Sequence, residues 1–381
     1  MVKFLIVALI FVSVVAKSQE PITFLSADSI TYQCYLTGDW DKLIRIGKQS
    51  IEQNIDYKRL RQRIGYAYFM KTDYYAAQIH YEKALTFDEY DADIREYLYY
   101  CGLNTGNEAF ARFHAGKLPP DIKKSLAIKA FNPVDAIDLE YNYKANTSST
   151  RSNPTYLRAG LSTQFGYRLT LYQSVSNYQQ TIDAVSLTKQ PEYFALLDWS
   201  VTSHTSLDVA YHYLNTSIDG FKYPGNLIFA TLSTKLNRFS LGLNGSILND
   251  DTGNYEQFGF QAGVTLPGKS NVYFNSSLSG MIEKRNSQPI FSQTAGARLT
   301  KTLWAEGNVT LGNLKNYNDH NALYVYNSID PTTFRTGLTL FWYLGKSVTL
   351  FGNYTYDTKE IELTRYNYKQ QLFSGGIIWK L

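Results

Sequence analysis

The sequence is poor in cysteine and in charge, and it lacks a long apolar run. Two cysteines in 381 residues exclude a disulfide-built scaffold. Charged residues make up 18% of the chain, against about 25% in an ordinary soluble domain. Lys plus Arg number 37 and Asp plus Glu 33, giving a net charge of +4 with no single-sign cluster. A nucleic-acid surface is excluded on that ground, because it needs a basic patch. Beyond residue 16 no stretch of 18 apolar residues occurs, so no helical anchor is expected in the mature chain. Leu and Ala do not dominate, which argues against a large helical protein. What the chain has instead is aromatic residues: 32 Tyr, 21 Phe and 5 Trp. So many aromatics argue against disorder. An exported, β-rich chain is expected.

Lys3 precedes the apolar stretch Phe4 to Ala16, and Ala16-Lys17-Ser18 supplies small residues at a cleavage site. This is the pattern of a secretory signal peptide over 1–18. The stretch is too short for the roughly 20 residues that span a bilayer.

Residues 19–118 carry a helical repeat of 34 residues. Within Lys58 to Asp91, Ile64-Gly65 and Tyr68 fall on one helix, and Ala77, Tyr81 and Ala84 on the next. Small residues at these places let two helices approach, as in a tetratricopeptide unit. Asp39, Asp73 and Asn107 recur at the turn between helices, 34 residues apart. Cys34 and Cys101 then belong to the first and third units. Helix-packing distances put them roughly 20 Å apart, beyond the about 7 Å that a disulfide permits between Cα atoms. Two separate buried thiols are expected. Pro119-Pro120 ends the helical region, and 119–136 is read as a linker.

From Ile137 the period becomes two. Ile137, Leu139, Tyr141 and Tyr143 alternate with Asp138, Glu140, Asn142 and Lys144, and segment after segment repeats the pattern to Leu381. Short connections fall near Gly166, Ser203, Asn237, Pro267 to Ser270, Lys301 and Gly345. Longer polar ones fall at 145–154, 178–190, 217–226, 249–254, 284–289, 313–321 and 358–364. Six short and seven long connections give 14 strands over 137–381. Alternation over about 10 residues, with short turns on one side and longer loops on the other, is the pattern of a transmembrane antiparallel β-barrel. A soluble β-sandwich also alternates, but it has no need of aromatics such as Trp342, Tyr354 and Trp379 near strand ends. The fold class expected is therefore α+β: helical repeats followed by a barrel in the outer membrane.

With the apolar parity facing lipid, the lumen receives Glu140, Arg158, Arg168, Asp198, Asp208, His212, Arg298, Glu306, Arg335 and Lys380. Asp198 and Asp208 are symmetric about Ser203 and face each other across the hairpin. Two like charges so placed are costly unless neutralised, and Arg168 is the expected counter-charge. These residues read either as a constriction that selects a solute or as a salt-bridged plug. No nucleophile–base pair, phosphate loop or Cys/His metal spacing is present, so neither a catalytic site nor a cofactor or metal is expected.

Asp330 to Leu344, with Phe334-Arg335-Thr336-Gly337, Val348 to Tyr356, and the closing Tyr366 to Gln370 and Gly375 to Leu381 carry a resemblance. The chain resembles YaiO-type outer-membrane barrel proteins in the repeat-fused form common in Bacteroidota. The resemblance implies an outer-membrane location with repeats in the periplasm, and little about activity. At the level of fold the order of parts is also similar to exopolysaccharide exporters, which have more repeats. The function expected first is an anchor or scaffold, set in outer-membrane lipid, whose repeats dock a periplasmic protein. The alternatives are a conduit for a glycan or small solute, and a barrel enzyme using His212.

Overall fold

The computed structural model describes residues 22–381, apart from 269, 284, 285, 328, 362, 363 and 365. The expected signal segment, 1–18, lies outside the described residues.

Three helical hairpins come first: α1 Phe24–Thr37 with α2 Trp40–Glu52, α3 Lys58–Met70 with α4 Tyr74–Leu85, and α5 Ala92–Asn104 with α6 Glu108–Gly116. The recurring turn residue is the N-cap of each second helix. The side chains of Asp39, Asp73 and Asn107 accept from the backbone N–H of Lys42, Ala76 and Phe110 at 3.3, 3.1 and 3.3 Å. Each satisfies a donor that the first turn leaves unpaired. Small residues set the helix approach. A Cβ on Gly102 would stand 2.8 Å from the backbone N of Ala111, and one on Gly65 3.0 Å from the Tyr81 ring. Leu43, Leu60 and Ile64 fill one core, and Tyr81, Ile94, Leu98 and Phe110 the next. Each fully buried side chain of this kind contributes about 1.5–3 kcal/mol. Cys34 and Cys101 are free, buried and in different clusters.

The connecting segment holds one short helix, α7 Pro120–Ser125, and the first strand opens at Phe131 rather than at 137. Fourteen strands then close into an antiparallel barrel. In chain order they begin β1 Phe131–Asn146, β2 Thr155–Phe165, β3 Leu169–Ile182, β4 Ser186–Ser200, β5 Thr205–Ile218, β6 Phe221–Leu236 and β7 Phe239–Asp250. They continue with β8 Gly253–Thr265, β9 Tyr273–Glu283, β10 Asn286–Arg298, β11 Leu303–Leu311, β14 Thr332–Leu344, β15 Val348–Glu360 and β16 Asn367–Lys380. Between β11 and β14 lie two short strands, β12 Asn318–Asp319 and β13 Tyr324–Val325, which pair only with each other. Closure joins β1 to β16, with Ile137 opposite Trp379 and Tyr143 opposite Phe373.

The outward parity is an apolar belt. Leu157, Val175, Ile228, Leu243, Phe258, Leu278 and Leu338 are all more than half exposed. Trp199, Trp342 and Trp379 stand exposed toward the end that carries the short turns, and Tyr141 and Tyr143 in the other half. We call these the turn end and the loop end.

The connections correct the sequence reading in two places. Those expected at 178–190, 217–226 and 249–254 are tight turns at 183–185, 219–220 and 251–252. The strands simply run on as polar hairpins, which alternation cannot reveal once both faces are wet. The loop expected at 313–321 spans 312–331 instead and folds inward. Leu314, Tyr317 and Ala322 in it are at most 4% exposed.

Candidate functional site

The candidate site is the lumen, which two structures enter from opposite ends. From the loop end comes 312–331. Its Asn318 amide donates to Gln257 Oε1 at 2.8 Å and Ser246 Oγ at 2.7 Å, and Gln257 Nε2 donates to Asn318 O. The Tyr324 hydroxyl donates to Glu140 at 2.7 Å, and Asn321 Nδ2 donates to Asp208 Oδ2 at 2.9 Å. His212, on β5, lies 2.7 Å from the Ala322 carbonyl through Nδ1 and 3.3 Å from Glu192 through Nε2. An irregular backbone persists at this depth because the wall supplies its hydrogen-bond partners.

At the turn end the helical hairpins sit across the mouth. Arg112 of α6 reaches Asp198 of β4 at 2.7 Å, and Glu108 of α6 meets Lys380 of β16 at 2.9 Å. Arg238, in the β6–β7 turn, holds Asp73 at 2.7 Å and stacks over the Tyr75 ring at 4.6 Å. His204, in the β4–β5 turn, pairs with Glu82 of α4 at 3.0 Å. That hydrogen bond raises the His204 pKa above its ordinary value. Beside it, burial pushes His114 down to about 3, and neither of its ring nitrogens has a partner. The contacts engage three places on the rim: the β4–β5 hairpin, the β6–β7 turn and the end of β16. That many attachments orient a domain as one contact cannot.

Between these closures lies a cavity of about 840 Å³, lined by nearly every strand toward the loop end and by β11, β14, β15 and β16 deeper in. It reaches from Asp251 and Thr252 in the β7–β8 turn at the loop end to Phe341, Phe351 and Ile378 in the turn half.

The residues singled out in the sequence divide among these features. Arg158 pairs with Glu140 at 2.5 Å and Asp138 at 3.2 Å, and it also bonds the Tyr172 hydroxyl. Arg335 pairs with Asp357 at 3.1 Å and stacks over Tyr326 at 5.2 Å. Glu306 accepts from the Tyr273 hydroxyl. All three line the cavity. Arg298 ends β10 at the exposed turn-end rim, away from the cavity.

Asp198 and Asp208 do face each other in the β4–β5 register. Arg168 does not neutralise them. It lies in the turn between β2 and β3, stacks over Phe113 at 4.6 Å and faces the Val201 carbonyl at 3.5 Å. The counter-charge is Arg112, from a helix whose own sequence pattern gave no sign of it. The other carboxylate is held by Asn321. Thus the helical cap and the inward loop meet at one rung of the β4–β5 hairpin. Among the described residues no group of three or more His, Cys, Asp or Glu could hold a metal ion.

No protein-family model matches the chain, and no curated protein matches it in sequence. Solved structures do. Omp33 of Acinetobacter baumannii is 9% identical, covering 65% of this chain and 99% of its own, with a TM-score of 0.38. The toluene transporter TodX of P. putida is 6% identical, covering 66% and 91%, with a TM-score of 0.44. The KdgM porin is 8% identical, covering 64% and 99%, with a TM-score of 0.34. At such identities and scores, what those proteins carry says nothing of this lumen.

Proposed function

We propose that the chain is an outer-membrane conduit for small hydrophilic solutes, closed at its periplasmic mouth by its own helical domain. The exposed apolar belt suits a barrel set in lipid. The signal peptide expected at the start leads the chain out of the cytoplasm. The turn end, where the helices attach, is then periplasmic, since short turns face that side in outer-membrane barrels. The hairpins are read as tetratricopeptide-like.

One observation carries the conduit reading: a cavity lined by many charged and polar side chains follows the lumen, while side-chain ion pairs and ring contacts hold the cap on the mouth. Surface ion pairs contribute about 0–1 kcal/mol each, so the cap is a closure that thermal motion can release. The test is proteoliposome swelling in sugars of increasing size. The wild-type chain should swell slowly, and the double variant Arg112→Ala with Glu108→Ala several-fold faster. Equal, negligible swelling in both would remove the conduit.

A second reading, the scaffold, is favoured by an aromatic row on the first helices of the hairpins. Tyr32, Tyr66 and Tyr100 recur 34 residues apart, and the Tyr35, Tyr66 and Tyr97 rings follow at 5.2 and 5.6 Å. Photo-crosslinking from Tyr32, which is 46% exposed, tests it. A discrete adduct to one periplasmic protein supports the reading, and none in growing cells removes it. In this reading the same domain serves as cap and dock.

A further inference from the structure

We propose that the lumen wall formed by β14, β15, β16 and β1 holds an oxyanion at Lys144, the anionic group of a solute that enters from the loop end. The inference rests on the conduit reading and names the chemistry of its solute. Inward side chains of this wall line the cavity with three cations, Lys144, Arg335 and Lys359, and toward the loop end one carboxylate, Asp357. Asp357 is 1% exposed and accepts twice from Arg335, at 3.3 and 3.1 Å. Loop carboxylates nearby are engaged as well, Asp330 by Arg151 at 2.7 Å and Asp319 by His320 at 3.2 Å. Below, Glu140 is held by Arg158 and Tyr324.

Lys144 is treated differently. It is half-buried on β1, opposite Leu372 of β16, and among the described residues no carboxylate lies within ion-pair distance of its ammonium. The ammonium instead stands 5.7 Å from the centre of the Tyr178 ring, whose hydroxyl is turned away to Gln180 at 2.7 Å. The ring fixes the stem of the side chain and supplies no counter-charge. Elsewhere in this wall arginine is matched by a carboxylate. Here a flexible three-donor cation faces open cavity, with Lys359 and Arg335 further round the same wall on β15 and β14. Lysine in that setting binds an oxyanion as a point charge. Carboxylate, sulfate and phosphate share this chemistry.

Calorimetric titration of the full chain in detergent tests it, with inorganic phosphate, glucuronate and neutral glucose as probes. Saturable binding of phosphate or glucuronate is expected. Binding of phosphate alone identifies a free inorganic ion, and binding of glucuronate identifies an acidic organic solute. A charge-assisted hydrogen bond contributes about 1.5–3 kcal/mol, so Lys144→Gln should weaken binding roughly tenfold or more. Lys144→Arg should retain it, and Lys189→Gln, on an exposed strand position, should change nothing. Heat-modifiable migration in each variant checks that the barrel is closed. No saturable anion binding, or binding indifferent to Lys144→Gln, overturns the proposal. Anion binding without solute swelling leaves the site and removes the conduit, whereas swelling without anion binding does the reverse.

Discussion

The two ends of the barrel are closed by different means. At the loop end the closure is the barrel's own chain. Segment 312–331 descends into the lumen and is tied down by buried contacts: neutral hydrogen bonds from Asn318 to Gln257 and Ser246, bonds from Asn321 and Tyr324 to the carboxylates of Asp208 and Glu140, and the buried pair of Asp330 with Arg151. At the turn end the closure is a separately packed helical domain, attached by ion pairs between side chains that remain partly exposed. Buried bonds and pairs are little screened by salt and costly to leave unmade. Exposed ion pairs are weak and screened within about 10 Å at 0.1 M salt. In the proposed conduit the loop therefore narrows the lumen, and the cap is the part expected to open. Asp198 and Asp208 join the two, one held from each side.

The widest test of the comparison concerns what lies outside both closures. Leu243→Arg, on the lipid-facing parity of β7, should destabilise the refolded barrel by about 2–4 kcal/mol in urea titrations in bilayers. Gln261→Arg, facing inward on β8, should leave the midpoint nearly unchanged. Equal losses at both would contradict the assignment of inside and outside.

Next in size is the loop. Asn318→Ala strips Gln257 and Ser246 of their partner, and leaving such buried groups unsatisfied costs about 1–3 kcal/mol. Hydrogen exchange should quicken across 314–326 while the barrel strands and helices stay protected. A change spread over the whole chain would mean that the loop is part of the fold and not an insert.

Within the cap, Gly102→Ala forces α5 away from α6, because the new Cβ meets the Ala111 backbone. A loss of about 1–3 kcal/mol is expected in the helical transition alone, read by far-UV circular dichroism. Loss of the barrel transition with it would show that the two are one cooperative unit.

The smallest effect is on pH. His204 has a raised pKa in the capped state, so its pairing with Glu82 is fully present below about 6.5 and is lost as pH rises through the raised value. His114 has a lowered one, about 3. Its contribution is present above the ordinary value of about 6.5 and is lost as pH falls toward 3. Arg95, Lys117 and His204 all act on His114 in the same direction. Cap attachment should thus be greatest near pH 6–7 and weaken on either side, as followed by tryptic cleavage in the connecting segment. A monotonic profile would rule out one of the two histidines.

Much of this was legible beforehand. The strand number and the six short turns followed from alternation, because one face of each strand meets lipid and the other water. The recurrence of Asp39, Asp73 and Asn107 marked the hairpins, because an N-cap needs a short side-chain acceptor. The inward loop was not legible. Asn316, Asn318 and Asn321 read as an outside loop, and Leu314, Tyr317 and Ala322 follow no period that separates burial from exposure. Nor was Arg112: its pairing with Asp198 joins residues 86 apart across two domains. Arg168 was nearer in sequence and of the right charge, but the turn aims it at Phe113.

The central claim, that the cap closes the lumen through its side-chain contacts with the barrel, is tested most directly by a charge swap read as single-channel conductance. Arg112→Asp and Asp198→Arg each place like charges together, and each should conduct steadily where the wild-type chain is mostly silent. The double variant restores an opposite pair and should return the channel to silence. Silence in all four proteins, or steady conductance in all four, would contradict the account.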